Sequence, residues 1–209
     1  MPARSEIKNI IFDLGGVIIN IDPGLTLEQF QKVYPGNFLD RFRQPDVQEI
    51  LHGFETGKYD EANFIKELQK AFDFELEKEE FIRIWNLTLL DTPPERISLI
   101  QQLSNEFRVF LLSNTNPTHM EAYFAQMAED QELWFPDLFE KAYLSYNMGL
   151  RKPDPEIFKT VLKEQVLLPE ETLFLDDTLE HIESAKSVGI HTWQVTDKPI
   201  TSLLNDTWR

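Results

Sequence analysis

Two carboxylates that close apolar runs carry most of the chemical information in this sequence. Asp13 sits in Ile10-Ile11-Phe12-Asp13-Leu14-Gly15-Gly16, and Asp177 sits in Leu173-Phe174-Leu175-Asp176-Asp177-Thr178. An ionised carboxylate at the end of a buried strand is costly to desolvate unless it meets a cation or projects into a polar crevice. In open parallel sheets that crevice lies beyond the carboxyl ends of the strands, where ligands bind. Between the two acids, Ser113-Asn114 ends the apolar run from Phe107 to Leu112, and Lys152-Pro153 follows the run from Ala142 to Ser145. Acid, hydroxyl, base and acid pair, each after a strand-like segment, make a set suited to handling phosphate.

The elements that must position these residues follow from hydrophobic spacing and turn signals. Residues 7–13 form a buried strand dense in isoleucine, and Gly15-Gly16 permits an unusual turn directly after it. From about residue 22 to 92 the pattern is helical. Leu25, Leu27, Phe30 and Val33 space one apolar face, and Val47, Ile50, Leu51 and Phe54 a second. Phe64, Ile65, Leu68 and Phe72 make a third, with Asp60 as its N-cap, and Phe81, Ile82, Trp85 and Leu89 a fourth. Thr92-Pro93-Pro94 marks the return. A helix with Ile97, Ile100 and Leu103 leads into the strand 107–112, and another runs from about Pro117 to Met127. A loop rich in Trp134, Phe135 and Phe139 and a short strand 142–145 follow. Asp154-Pro155 opens a helix as N-cap and first-turn proline. A strand 173–175, a helix 179–188 ended by Gly189 and a strand 191–195 close the chain. Strands alternating with helices predict an α/β protein, a Rossmann-like parallel sheet with helices on both faces. The division expected is a core of residues 1–21 and 93–209, with 22–92 as an inserted helical cap.

Composition narrows the function. The 209 residues carry 20 basic and 36 acidic side chains, a net charge of −16. Such a balance argues against nonspecific nucleic-acid binding or an anionic membrane surface, which need a basic face. A phosphorylated substrate must then be drawn in by local positive charge. With no cysteine, disulfides, thiolate catalysis and cysteine-ligated zinc are excluded. The run from Ile7 to Ile21 contains Lys8, Asn9, Asp13 and Asn20, so it is not a membrane span, and the first residues lack a signal-peptide pattern. A cytoplasmic monomer or homodimer is expected. The four histidines (His52, His119, His181, His191) show no metal-ligand spacing and are expected to be structural, although His181, one helical turn after Asp177, is in position to orient a site residue.

Four segments resemble the haloacid dehalogenase-like (HAD) hydrolase superfamily, in its branch of phosphatases with a helical cap. They are Ile11-Phe12-Asp13-Leu14-Gly15-Gly16-Val17, Leu112-Ser113-Asn114-Thr115, Gly149-Leu150-Arg151-Lys152-Pro153-Asp154-Pro155-Glu156-Ile157-Phe158 and Phe174-Leu175-Asp176-Asp177. They occur in the family's order and span nearly the whole core. The stretch Phe54-Glu55-Thr56-Gly57-Lys58-Tyr59 is similar to one in bacterial sugar-phosphate phosphatases of the family. The resemblance implies Asp13 as a nucleophile that forms an aspartyl phosphate. It implies Mg²⁺ held by the Asp13 carboxylate, the Gly15 carbonyl and Asp177, with Asp176 acting through water or as a cap. It implies Ser113 and Asn114 holding the phosphoryl oxygens by a hydroxyl and backbone N–H groups, and Lys152 neutralising both phosphate and Asp13. Arg151 is expected to face solvent or to pair with an acidic neighbour.

One departure matters. Phosphatases of this family usually carry a second aspartate two residues after the nucleophile as general acid, and here that position is Gly15. An anomeric phosphate, a better leaving group than an alkyl phosphate, would suffer less from its loss, and Asp22 or a cap residue such as Glu55 is the candidate substitute. The expected activity is hydrolysis of a small phosphorylated metabolite such as a sugar phosphate. A 2-haloacid dehalogenase and a catalytically silent module that binds a phosphorylated ligand or a protein partner remain as alternatives.

Overall fold

The computed structural model describes residues 2–131, 134–196, 200–204 and 208. Its strands are β1 (Asn9–Phe12), β2 (Arg108–Ser113), β3 (Lys141–Leu144), β4 (Thr172–Asp176) and β5 (His191–Gln194). All pair in parallel, in the order β3-β2-β1-β4-β5. Alternation along each strand assigns its side chains to two cores. Ile10 and Phe12 of β1, Val109 and Leu111 of β2, and Leu173 and Leu175 of β4 join one cluster. Ile11, Phe110, Leu112 and Phe174 join the other.

Each cluster is closed by helices, as the sequence predicts. Helices α6 (Pro94–Leu103) and α7 (Pro117–Gln131) cover the first face through Ile97, Ile100, Met120 and Tyr123. Helices α9 (Pro155–Gln165) and α10 (Leu179–Ser187) cover the second through Ile157, Phe158 and Ile182. A one-turn helix α8 (Ser145–Met148) follows β3 directly. The chain therefore leaves β1 toward one face and β4 toward the other, which opens a crevice between these adjacent strands at their carboxyl ends.

The register sets what stands in that crevice. Phe12 pairs with Leu111 on one side and Leu175 on the other. The next residues along, Leu112, Asp13 and Asp176, therefore form a row across three strands.

Between β1 and β2 lie α1 (Pro23–Val33), α2 (Phe38–Phe42), α3 (Pro45–Glu55), α4 (Glu61–Phe72) and α5 (Lys78–Trp85). They pack on a cluster of their own, dominated by phenylalanine. Phe54 and Phe64 stack with ring centroids 4.0 Å apart, and Phe38 stacks on Phe72 at 4.3 Å. Asp60 caps α4 by accepting from the Asn63 N–H at 2.8 Å, and Asp154 caps α9 from Glu156 at 2.9 Å. The insert hangs on two chain segments that cross side by side, where Ile21 and Leu89 form an antiparallel bridge.

Some expectations are corrected. On α1 the buried residues are Thr26 and Phe30, whereas Leu25 and Val33 are exposed, because the buried stripe is one residue wide on this short helix. Helix α5 stops at Trp85, so Leu89 leaves the helical cluster and packs on the first sheet core instead. Helix α2 has too few residues to show a period. Helix α7 continues four residues past Met127, and strand ends move by one or two residues, most at β1, which is shorter than expected. The aromatic loop after α7 contains a 3₁₀ turn, Phe135–Leu138, that buries Phe135 fully.

The helical cluster supplies a stability test. Phe64 is buried against Phe54, Phe81 and Trp85. Phe64→Ala is expected to lower unfolding free energy by about 3–5 kcal/mol, read as a drop in the urea midpoint by circular dichroism; a loss below about 1 kcal/mol would mean that these helices contribute no cooperative core.

Candidate active site

Lys152 occupies the centre of the crevice floor. Its Nζ lies 2.8 Å from Asp13 Oδ1, 2.6 Å from Asp176 Oδ2 and 3.0 Å from the Leu112 carbonyl, the row set by the register. Of the three N–H donors of an ammonium, two are hydrogen-bonded to the Leu112 carbonyl and Asp176, and Asp13 is held as an ion pair. The side chain is 0% exposed and rests over the Phe174 ring at 5.2 Å. Burial alone would lower its pKa, but Asp13 and Asp176 outweigh that and hold it above the ordinary lysine value.

The backbone of Lys152 is clamped as well. Asn114 donates from Nδ2 to the Lys152 carbonyl and accepts the Lys152 N–H at Oδ1, both at 2.8 Å. The Asn114 side chain is thus a brace for Lys152, which leaves its main chain for any oxyanion. Among the described residues the Ser113 hydroxyl has only a long contact, 3.4 Å to the Asn114 carbonyl, and is the less committed of the two. Thr115 is fixed by a reciprocal pair of bonds with the Ser145 hydroxyl, at 2.9 and 3.0 Å.

The three acids are not equivalent. Asp176 is fully buried and accepts from Lys152, from the Thr178 N–H at 2.8 Å and from His181 Nδ1 at 3.0 Å. Burial would raise its pKa, yet Lys152 and His181 hold it below the usual carboxylate range. Asp13 has fewer donors. Burial pushes its carboxyl up to about 6, Lys152 opposing and the Asp176 charge adding. Asp177 has no ion pair among the described residues and accepts from the Thr178 hydroxyl at 3.1 Å. Burial and the Asp176 charge raise its pKa. One oxygen from each of the three lies within 4.8 Å of the others. Three carboxylates against one ammonium leave two negative charges in a half-enclosed place, an oxygen-only donor set that fits a hard divalent cation. Gly16 matters here: its φ is +72°, and a Cβ on it would collide with the Asp177 carboxylate. Gly15 lies in the same turn, bridged to Ile19.

The helices roof the crevice with a cleft of about 300 Å³, lined among others by Leu51, Glu55, Trp85, Asn114, His119 and Arg151. His119 stacks on Trp85 at 5.2 Å. Its Nε2 lies 3.1 Å from the Trp85 carbonyl, which can only accept, so Nδ1 accepts from Asn116 Nδ2 at 3.0 Å. Burial pushes this imidazole down to about 4, so it is neutral near pH 7. Arg151 does pair with an acid, and the acid is remote: Nε donates to Glu55 Oε2 at 2.8 Å across 96 positions. Asp22 caps α1 by accepting from Gly24. Both residues weighed as substitutes for an acid at position 15 are therefore engaged elsewhere. No period or motif points to the Asn114 brace or the Ser145 clamp. The His181–Asp176 contact was foreshadowed only by helical spacing.

A parallel sheet in this order, with its charged crevice between β1 and β4 and helices inserted between β1 and β2, defines a Rossmann-like α/β fold. The chain belongs to the haloacid dehalogenase-like hydrolase family, whose profile matches residues 7–189. It is 35% identical over 191 residues to a D-ribitol-5-phosphate phosphatase of Bacteroides thetaiotaomicron, covering 90% of this chain and 91% of the relative. A phosphorylated carbohydrates phosphatase of Thermotoga maritima is 26% identical over 87% of this chain and 81% of its own. A HAD family enzyme of B. thetaiotaomicron, solved in complex with magnesium and inorganic phosphate, superposes with a TM-score of 0.86 at 33% identity, over 95% of this chain and 99% of that one. Among the described residues, no helix is long and apolar enough to cross a membrane.

The pKa of Asp13 has a measurable consequence. A cation needs the ionised carboxylate, so a proton competes with it below about pH 6. Divalent-cation affinity measured by calorimetry is expected to be steady from pH 8 to 7 and to weaken roughly tenfold per pH unit below 6; a flat profile between pH 5 and 8 would remove Asp13 from the metal site.

Proposed function

We propose that the chain is a magnesium-dependent phosphatase that hydrolyses a small phosphorylated metabolite, a sugar or polyol phosphate, through an aspartyl phosphate on Asp13. The observation that carries this reading is the unequal pairing of the acids. Lys152 compensates Asp13 and Asp176, while Asp177 stands beside them with no ion pair among the described residues. The relative bound to magnesium and phosphate and those named as sugar-phosphate and polyol-phosphate phosphatases support it.

Asp13, Asp177 and the Gly15 carbonyl would hold the ion, with Asp176 behind them. Bound magnesium supplies the positive charge that lets an anionic phosphate approach an anionic nucleophile. Lys152 ties down Asp13 Oδ1, which orients the carboxylate and leaves the second oxygen outside that ion pair. A carboxylate oxygen bonds to phosphorus as the P–O ester bond breaks; with Gly15 in place of an acid, the alkoxide takes its proton from water, and the hydroxide so formed is consumed in the hydrolysis that follows. Water then cleaves the acyl phosphate, releasing inorganic phosphate and restoring Asp13. Ser113 and the main chain at Asn114 receive the equatorial oxygens. Residues 22–92 act as the cap over the cleft. The uncompensated Asp177 weighs against a dehalogenase, which needs no cation.

Asp13→Asn is expected to reduce phosphate release to background, and a chelator should do the same until magnesium is restored. Gly15→Asp tests the missing acid. Gly15 has no left-handed φ, and a Cβ there meets only the movable end of Ile21 at 3.1 Å. The variant is expected to preserve turnover or to raise it on alkyl phosphates, toward the ~10²–10⁴-fold that a general acid contributes. Full turnover by Asp13→Asn in a contaminant-free preparation would end this assignment.

A further inference from the structure

Arg151 stands one residue from Lys152, so its Cα lies about 3.8 Å from that of the residue anchoring the crevice floor. The Asn114 brace on the Lys152 backbone fixes that starting point. From there the side chain reaches into the cleft and meets Glu55, at the end of α3 on the opposite wall. Both side chains are about a quarter exposed, at 27% and 28%. The contact uses one guanidinium nitrogen and one carboxylate oxygen. Among the described residues, Nη1, Nη2 and Oε1 have no protein partner. The cleft wall thus offers a block of donors beside an acceptor, in the cleft that Asn114 also lines.

The charge of this block decides what it suits. A lone arginine here would attract any second anionic group on a substrate. Glu55 cancels that charge and adds a carboxylate that repels one. Adjacent donors and an acceptor with no net charge match neighbouring hydroxyl groups, each of which both donates and accepts. A volume of about 300 Å³ is at the small end of ligand cavities and suits a short chain or a single ring.

We propose that the Arg151–Glu55 pair is the specificity element of the cleft, reading vicinal hydroxyls of a neutral, polyhydroxylated leaving group and rejecting phosphate esters that carry a second anionic group. This rests on the phosphatase reading above and adds which residues choose the substrate.

The test compares the magnesium-loaded wild type with Glu55→Gln and Arg151→Met on three probes: ribitol 5-phosphate, 3-phosphoglycerate and p-nitrophenyl phosphate. Glu55→Gln is expected to shift the kcat/KM ratio at least about tenfold toward 3-phosphoglycerate. Arg151→Met is expected to lose at least about tenfold more kcat/KM on ribitol 5-phosphate than on p-nitrophenyl phosphate, mainly through KM. Equal losses on all three probes, or an unchanged ratio, would overturn the assignment. If a larger change impairs folding, Glu55→Asp and Arg151→Lys, which keep the charges and shift the contact, are expected to lose kcat/KM on ribitol 5-phosphate relative to p-nitrophenyl phosphate while still rejecting 3-phosphoglycerate. Calorimetric binding of the first two esters is read on the same proteins in the Asp13→Asn background. A protein that binds ribitol 5-phosphate selectively but never hydrolyses it contradicts the phosphatase reading and upholds the pair; one that hydrolyses all three without preference does the reverse.

Discussion

The buried ammonium of Lys152 is the contact on which the rest of this molecule depends. Removing such a charge from water costs several kcal/mol unless good acceptors surround it. Its three acceptors come from the ends of three neighbouring strands, Leu112, Asp13 and Asp176. They stand in a row because Phe12 pairs with both Leu111 and Leu175. A slip of one residue in either pairing would turn an acid to the opposite face and strand the charge. Sheet register and site chemistry are therefore one constraint. The apolar strands pay nothing for this arrangement in their own packing, since the alternation that fills both cores also delivers the row.

Satisfying Lys152 leaves the remaining acids with different tasks. Asp176 is consumed by internal contacts, to Lys152, His181 and the Thr178 N–H, and serves as the anchor of the cluster. Asp177 is held against Gly16, at a backbone position where no larger side chain fits. Asp13 lies between these extremes, poorly solvated and held by a single ammonium. That is the environment of a carboxylate whose charge needs a further positive partner, and it explains why the acids of one short crevice differ in pKa direction.

Much of this was legible in the sequence, because strand runs that end in polar residues report directly on the carboxyl edge of a parallel sheet. The alternation of elements, the inserted helices and the caps at Asp60 and Asp154 follow from local spacing and local hydrogen bonding. Contacts between segments far apart in the chain were not legible. Nothing local tells that Asn114 braces Lys152, that Ser145 clamps Thr115, or that Arg151 finds its acid on α3. The order of Asp176 and Asp177 was similarly hidden in the residues themselves, since adjacent acids look alike until burial separates them. Leu25, Val33 and Leu89 show the converse failure: an apolar residue at helical spacing need not lie on the buried stripe or inside the helix.

The side-by-side crossing at Ile21 and Leu89 bears on how such a protein diversifies. Both ends of the helical segment meet at this one crossing, outside the strands of the sheet, and its phenylalanine cluster is separate from the two sheet cores. Lineages can accordingly graft a different bundle between these two residues while every strand keeps its neighbours. In such an exchange the wall that Arg151 contributes stays with the sheet, and the wall that carries Glu55 goes with the helices.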